Sequence, residues 1–177
     1  MSEDNTLEIS ATLKNGLAVT IRPLRADDRD AIARAVTALD AETIYTRLFS
    51  YRPVTADAID RIMHVDPAHE VALAVVIGSA PSHQIIGTCR MIELPPKKDN
   101  CRSAEVAFTV EEDYQGQGIA GLLLGHLIAI ARARDIDELE AEVLAGNAPM
   151  LRVFERSGLP MRKRREGTTV YLSLSLT

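Results

Sequence analysis

The chain has 177 residues, 46% of them hydrophobic and 25% charged, which suits one globular domain with a proper core. A net charge of −5 and a pI near 5.4 exclude the broad basic face of a nucleic-acid binder, and Arg162-Lys163-Arg164-Arg165 reads as a solvated strand or turn. The acidic start MSEDNTLEIS is unlike a secretory leader, and no apolar run nears the roughly 20 residues of a membrane span. The expectation is therefore a cytoplasmic protein with Cys89 and Cys101 both reduced.

In chain order, Leu7–Leu13 and Leu17–Pro23 flank Asn15-Gly16, a strong hairpin signal. Residues 1–16 form an N-terminal extension that supplies the first strand. Ile32, Ala35, Val36 and Leu39 recur at helical spacing after the acidic start Asp27-Asp28. Asp40 is positioned to cap a second helix bearing Ile44, Leu48 and Phe49, and Thr55 a third bearing Ile59, Ile62 and Met63. The apolar run Val71–Ile77 reads as a buried strand, and Ile85–Ile92 as its return after a turn at residues 78–82. The proline-bearing stretch Leu94–Asn100 reads as an exposed loop. Ser103–Val110 is a further strand, Gly118–Arg134 a long helix and Leu139–Leu144 a strand, together a right-handed βαβ unit with parallel strands. A short helix over Ala148–Ser157 stops at Gly158. Two closing strands, Met161–Arg165 and Thr169–Leu176, turn at Glu166-Gly167. With no repeat and no linker, the fold class is α/β in the broad α+β sense, a single domain over residues 1–177 with one mixed sheet.

Gly116, Gly118 and Gly121 satisfy G-x-G-x-x-G, with Glu140 or Glu142 about twenty residues on, as in a dinucleotide-binding fold. The five residues Glu111–Gln115 separate strand from glycines, and too little chain follows for the further βαβ units that fold requires. Gln115-Gly116-Gln117-Gly118-Ile119-Ala120 instead resembles the Q/R-x-x-G-x-G/A signature of the GNAT acyltransferase superfamily, in the same place between strand and long helix. Asn147-Ala148-Pro149-Met150, followed by Phe154, Arg156 and Gly158-Leu159, resembles that superfamily's second block, and the order of elements agrees from about Leu17 onward. Within it, IRPLRADD, TIYTRLF, VDPAHEVALAVV and EVLAGNAPML are similar to the bacterial Pat-type protein lysine acetyltransferases.

The resemblance implies an acetyl-CoA-dependent N-acetyltransferase with splayed parallel strands. Its acceptor is a protein lysine, with an acyl-CoA synthetase as one partner protein. A small amine or amino acid is the alternative acceptor, and an acyl-CoA-binding regulator without turnover a reading of another class; a homodimer is compatible with each. Backbone amides from Gln115, Gly116, Gln117, Gly118, Ile119, Ala120 and Gly121 would take the CoA pyrophosphate, because a glycine-rich helix start has unpaired donors and lets phosphate approach. The amides of the pantetheine arm would pair with Phe108, Thr109 and Val110, and Asn147 and Phe154 would lie along the arm, Asn147 also reading as a helix cap.

Acylating an amine needs the neutral form, and free lysine has a pKa near 10.4, so a base must take its proton. Glu105, which alternation puts on one face with Ala107 and Thr109, is the expected base. Pairing with Arg90 or Arg102 is its alternative role. Glu70, His69 and Asp66 are lesser candidates, and Tyr45, Arg47 and Arg52 are candidates for acceptor contact. Phe154 stands where many family members carry a tyrosine acid. No metal is expected, since His64, His69, His83 and His126 are scattered and pair with neither cysteine.

Overall fold

The computed structural model describes residues 8–37 and 55–177. The expected helix capped by Asp40, together with Tyr45, Arg47 and Arg52, lies outside the described residues.

One eight-stranded sheet forms the middle of the domain, built from β1 (Ile9–Thr12), β2 (Ala18–Pro23), β3 (Glu70–Ile77), β4 (Gln84–Glu93), β5 (Ser103–Val110), β6 (Glu138–Leu144), β7 (Met161–Glu166) and β8 (Thr169–Ser175). Their order across the sheet is β1-β2-β3-β4-β5-β6-β8-β7. Every neighbouring pair is antiparallel except β5 and β6. Helices α1 (Arg29–Thr37) and α2 (Ala56–Met63) cover one face; α3 (Ile119–Ala133) and α4 (Ala148–Glu155) cover the other.

Alternation along β3 shows how the sequence feeds both layers. Leu73 and Val75 join the larger core, with Leu123, Leu127 and Phe154. Ala74 and Val76 join the smaller one, with Ala31 and Ile32. A strand buried on both faces reads as a continuous apolar run, which is why Val71–Ile77 lacks polar alternation. Gly87 in β4 makes close helix packing possible, since a Cβ there would stand 2.7 Å from Ile119 Cγ2. The start of α3 is thereby seated directly on the sheet.

The expected hairpin forms, but around a three-residue loop, Lys14-Asn15-Gly16. The Leu13 amide bonds the Leu17 carbonyl at 2.9 Å, the Gly16 amide bonds Leu13, and Gly16 takes φ +85°. Three-residue loops ending on a left-handed residue fit the strand twist as well as two-residue ones do. Thr55 caps α2 as expected, its hydroxyl accepting from the Ala58 amide at 3.2 Å.

The acidic start Asp27-Asp28 falls in a 3-10 turn (Ala26–Asp28) ahead of α1. Asp28 is wholly buried, taking both Arg22 guanidinium bonds at 2.8 Å, the Arg25 amide at 2.7 Å and His83 Nε2 at 2.8 Å. A second buried carboxylate, Glu138, is held by Lys97 and Arg162, each at 2.5 Å, and by the Ser173 hydroxyl. Burial alone would push both carboxyls up, but for Asp28 the Arg22 bond, the Arg25 amide and His83 outweigh it. For Glu138 the Lys97 and Arg162 bonds do so, and both carboxyls sit below the usual range. A depressed carboxyl contributes stability above its unfolded pKa of about 4 and loses it as pH falls through the folded value. Denaturant midpoints are therefore expected to hold from neutral pH down to about 5 and to fall steeply below about 4. Asp28→Asn is expected to flatten part of that acid slope.

Candidate functional site

The parallel pair β5–β6 is hydrogen-bonded over three register pairs only, Ser103↔Glu138, Ala104↔Leu139 and Glu105↔Glu140. Both strands continue, β5 to Val110 and β6 to Leu144, without pairing to each other. The result is a fork with Glu105 and Glu140 at its apex. On its β6 side β5 runs from Val106 to Val110 without a partner strand, while on the other it pairs with β4. An open edge inside a sheet has donors and acceptors at strand spacing, which suits an extended chain bearing amides.

Side chains sort cleanly at this strand. Ala104, Val106 and Phe108 are buried toward α3 and α4; Glu105 is exposed on the opposite face, with Ala107 and Thr109 half-buried beside it. Across the sheet Glu105 stands in register with Ile92 on β4 and Glu140 on β6. Thr109 pairs with Thr88, and together they border a small apolar cavity of about 100 Å³ lined also by Ile32 and Val36 of α1 and Ile62 of α2. Arg90 donates to the Ile62 and His64 carbonyls, tying α2 to β4, and Arg102 reaches Glu93 at 3.4 Å. At the apex, Lys97 bridges Glu138 and Glu140, meeting Glu140 at 2.6 Å.

The open end of the fork leads to the glycine turn. After β5 the chain makes a 3-10 turn over Glu112–Tyr114, and Gln115 folds back, its side-chain amide donating to the Val110 carbonyl at 3.4 Å. Gly116 and Gly118 take φ values of +77° and +91°, a region that disfavours a side chain. The Leu122 amide donates to Gly118 at 3.1 Å, at the head of the α3 ladder. The amides before it, at Ile119, Ala120 and Gly121, thus start the helix with no turn preceding them, where donors and the positive dipole end collect. Such a start fits a phosphate.

The second block sits nearby. Asn147 caps α4, its side-chain oxygen accepting from the Met150 amide at 3.3 Å. Phe154 is 1% exposed and packs edge-on against Phe108, ring centres 5.9 Å apart, so its ring lies beneath the strands in the core. His69 is exposed and Asp66 caps its own turn at the Ala68 amide, while Glu70 is half-buried, 4.0 Å from Arg90. Cys89 is buried among apolar side chains that push its thiol up to about 12, which leaves it inert. Among the described residues no three His, Cys, Asp or Glu are grouped to hold a metal, and no helix is long and apolar enough to cross a membrane.

A family model for the acetyltransferase (GNAT) domain matches residues 18–160. The chain belongs to the GNAT acetyltransferase family. Acetyltransferase Pat of Mycolicibacterium smegmatis is 29% identical over 150 residues, 85% of this GNAT domain and 44% of that protein. The chain thus spans under half the length of that relative. Acetyltransferase PA5475 of Pseudomonas aeruginosa is 27% identical over 78% of the chain and 73% of its own length. Among solved structures, the GNAT domain of S. lividans PAT superposes with a TM-score of 0.80 at 31% identity, covering 95% of this chain and 96% of that one. The fork and the glycine turn both lie within the residues of this GNAT domain that the family model matches.

Two features escaped sequence reasoning. Lys97 stands in a loop whose charges read as solvent-facing, yet its partner Glu138 lies 41 residues on. Lys14 belongs to a hairpin loop that reads as a turn only, yet it docks on the glycine turn. Neither carries a local signal, because both contacts are made between distant elements.

Proposed function

We propose that this domain transfers the acetyl group of acetyl-CoA to an amine, with a protein lysine as acceptor and Glu105 as general base. The observation that carries the reading is the fork, which has an open strand edge leading from a helix N-terminus to a carboxylate at the apex. When bound, acetyl-CoA supplies a thioester-activated acetyl group. Its phosphates would lie at the amides of Gln115–Gly121, and its arm along Phe108, Thr109 and Val110, near Asn147.

Glu105, which is exposed on the face that carries α1 and α2, would take a proton from an incoming ammonium and pass it to solvent. Phe154 offers no proton to a departing thiolate. That help is dispensable for a leaving group of thiol acidity, about 8.5 in free cysteine. The Pat-named relatives favour a protein acceptor over a small amine.

Incubation with acetyl-CoA and either an acyl-CoA synthetase or a panel of small amines, read by thiol release, tests the proposal. Release that depends on the protein acceptor is expected. Release only with small amines would move the acceptor class, and tight acetyl-CoA binding with no acceptor-dependent release would make the domain a sensor.

A further inference from the structure

We propose that Lys14, from the hairpin loop between β1 and β2, is a phosphate-binding residue of the CoA site. The proposal rests on the reading of the glycine turn as that site.

From Ser103 to Ala131 the chain contains no lysine and no arginine. The strand, the turn and the first three helical turns that would receive a polyanion therefore bring no permanent cation of their own. Gln115 and Gln117 are neutral, and Glu111, Glu112 and Asp113 immediately before them are negative. Backbone dipoles alone would have to hold the phosphates against that local acidity.

The hairpin supplies what the turn lacks. The Lys14 amide donates to the Gln117 carbonyl at 3.3 Å, pinning the loop to the glycine turn. Its aliphatic stem then runs over Gly118. A Cβ on that glycine would stand 3.5 Å from Lys14 Cε and 4.0 Å from Cγ. Gly118, at φ +91°, is the N-cap of α3, so the stem lies beside the helix start. Lys14 is exposed, and its ammonium meets no carboxylate among the described residues. A solvated cation, anchored by its own backbone beside unbonded amides, is poised to complete a phosphate cradle at small entropic cost.

Titration calorimetry on the whole chain, comparing wild type with Lys14→Met and Lys14→Arg, tests this. Met keeps the stem over Gly118 and removes only the charge. For CoA, Lys14→Met is expected to weaken binding about tenfold at low salt, and Lys14→Arg to restore most of it. The gap should close as salt rises, with a shallower salt dependence in Lys14→Met. Acetyl-pantetheine, which has no phosphate, should not distinguish the three proteins. Dephospho-CoA separates the two phosphate sources: a retained penalty points to the pyrophosphate, a lost one to the 3′-phosphate. Equal CoA affinity and equal salt slope in wild type and Lys14→Met would overturn the role of Lys14. Failure of the wild type to bind CoA at all would instead overturn the reading of the turn.

Discussion

Glu105→Gln is expected to lower kcat/KM for acetyl transfer by between about a hundredfold and ten-thousandfold, the range over which a positioned base contributes. The substitution keeps size and shape and removes the carboxylate's charge and with it the capacity to take a proton. Glu105 is exposed on β5, so the fold should tolerate it, and thermal midpoint and acetyl-CoA affinity are expected to stay near wild type. The loss should fall on kcat/KM for the acceptor and shrink as pH rises, because free amine becomes abundant near its own pKa of about 10.4. Steady-state rates over a pH series, with binding measured in parallel, check both halves. An unchanged rate would remove Glu105 from the chemistry and leave it a strand carboxylate.

Phe154→Ala should be the most damaging of the substitutions considered for stability, at about 3–5 kcal/mol. The ring is 1% exposed, under the fork, and meets Phe108 edge-on at 72° between planes. Removing it opens a cavity between α4 and β5 that neighbouring Leu123 and Val143, both in the same core, cannot fill without shifting the strands. Because Phe108 belongs to the strand that borders the fork, the loss should extend to acetyl-CoA affinity, whereas an equally buried residue in the smaller core, such as Ile32, should affect stability alone. Chemical denaturation together with acetyl-CoA titration of both variants provides the comparison.

Much of this architecture could be read in residue order, because it is local. Ser103–Val110 is a strand with the expected bounds, and the long helix and closing hairpin fall within two residues of expectation. Those elements announce themselves through alternation, 3.6-residue spacing and glycine at positive φ, all written within a few positions. The glycine motif likewise encodes its own backbone geometry. What stayed hidden depends on contacts between elements far apart in the chain. Asp28 looks like a helix start, but becomes a buried hub because Arg22 and His83 converge on it, one 6 and the other 55 residues away. Glu138 looks like a strand entrance, yet it collects Lys97, Arg162 and Ser173 from three other segments. The depth of the fork was equally invisible, since the residues that stop pairing after Glu105 and Glu140 are as strand-like as those that pair.

That short seam also divides the molecule along its own sequence. Strands β1 to β5 all precede α3, and β6 to β8 all follow it, so the two wings of the sheet are consecutive stretches of chain. Each wing has its own antiparallel ladders, and three rungs of parallel pairing, the Lys97 bridge to Glu138 and Glu140 and the packing of Phe154 on Phe108 join them. Swinging one wing against the other would widen or narrow the cleft while leaving nearly every ladder bond intact. The seam is therefore the line along which the fewest backbone bonds separate the two wings, and it coincides with the cleft.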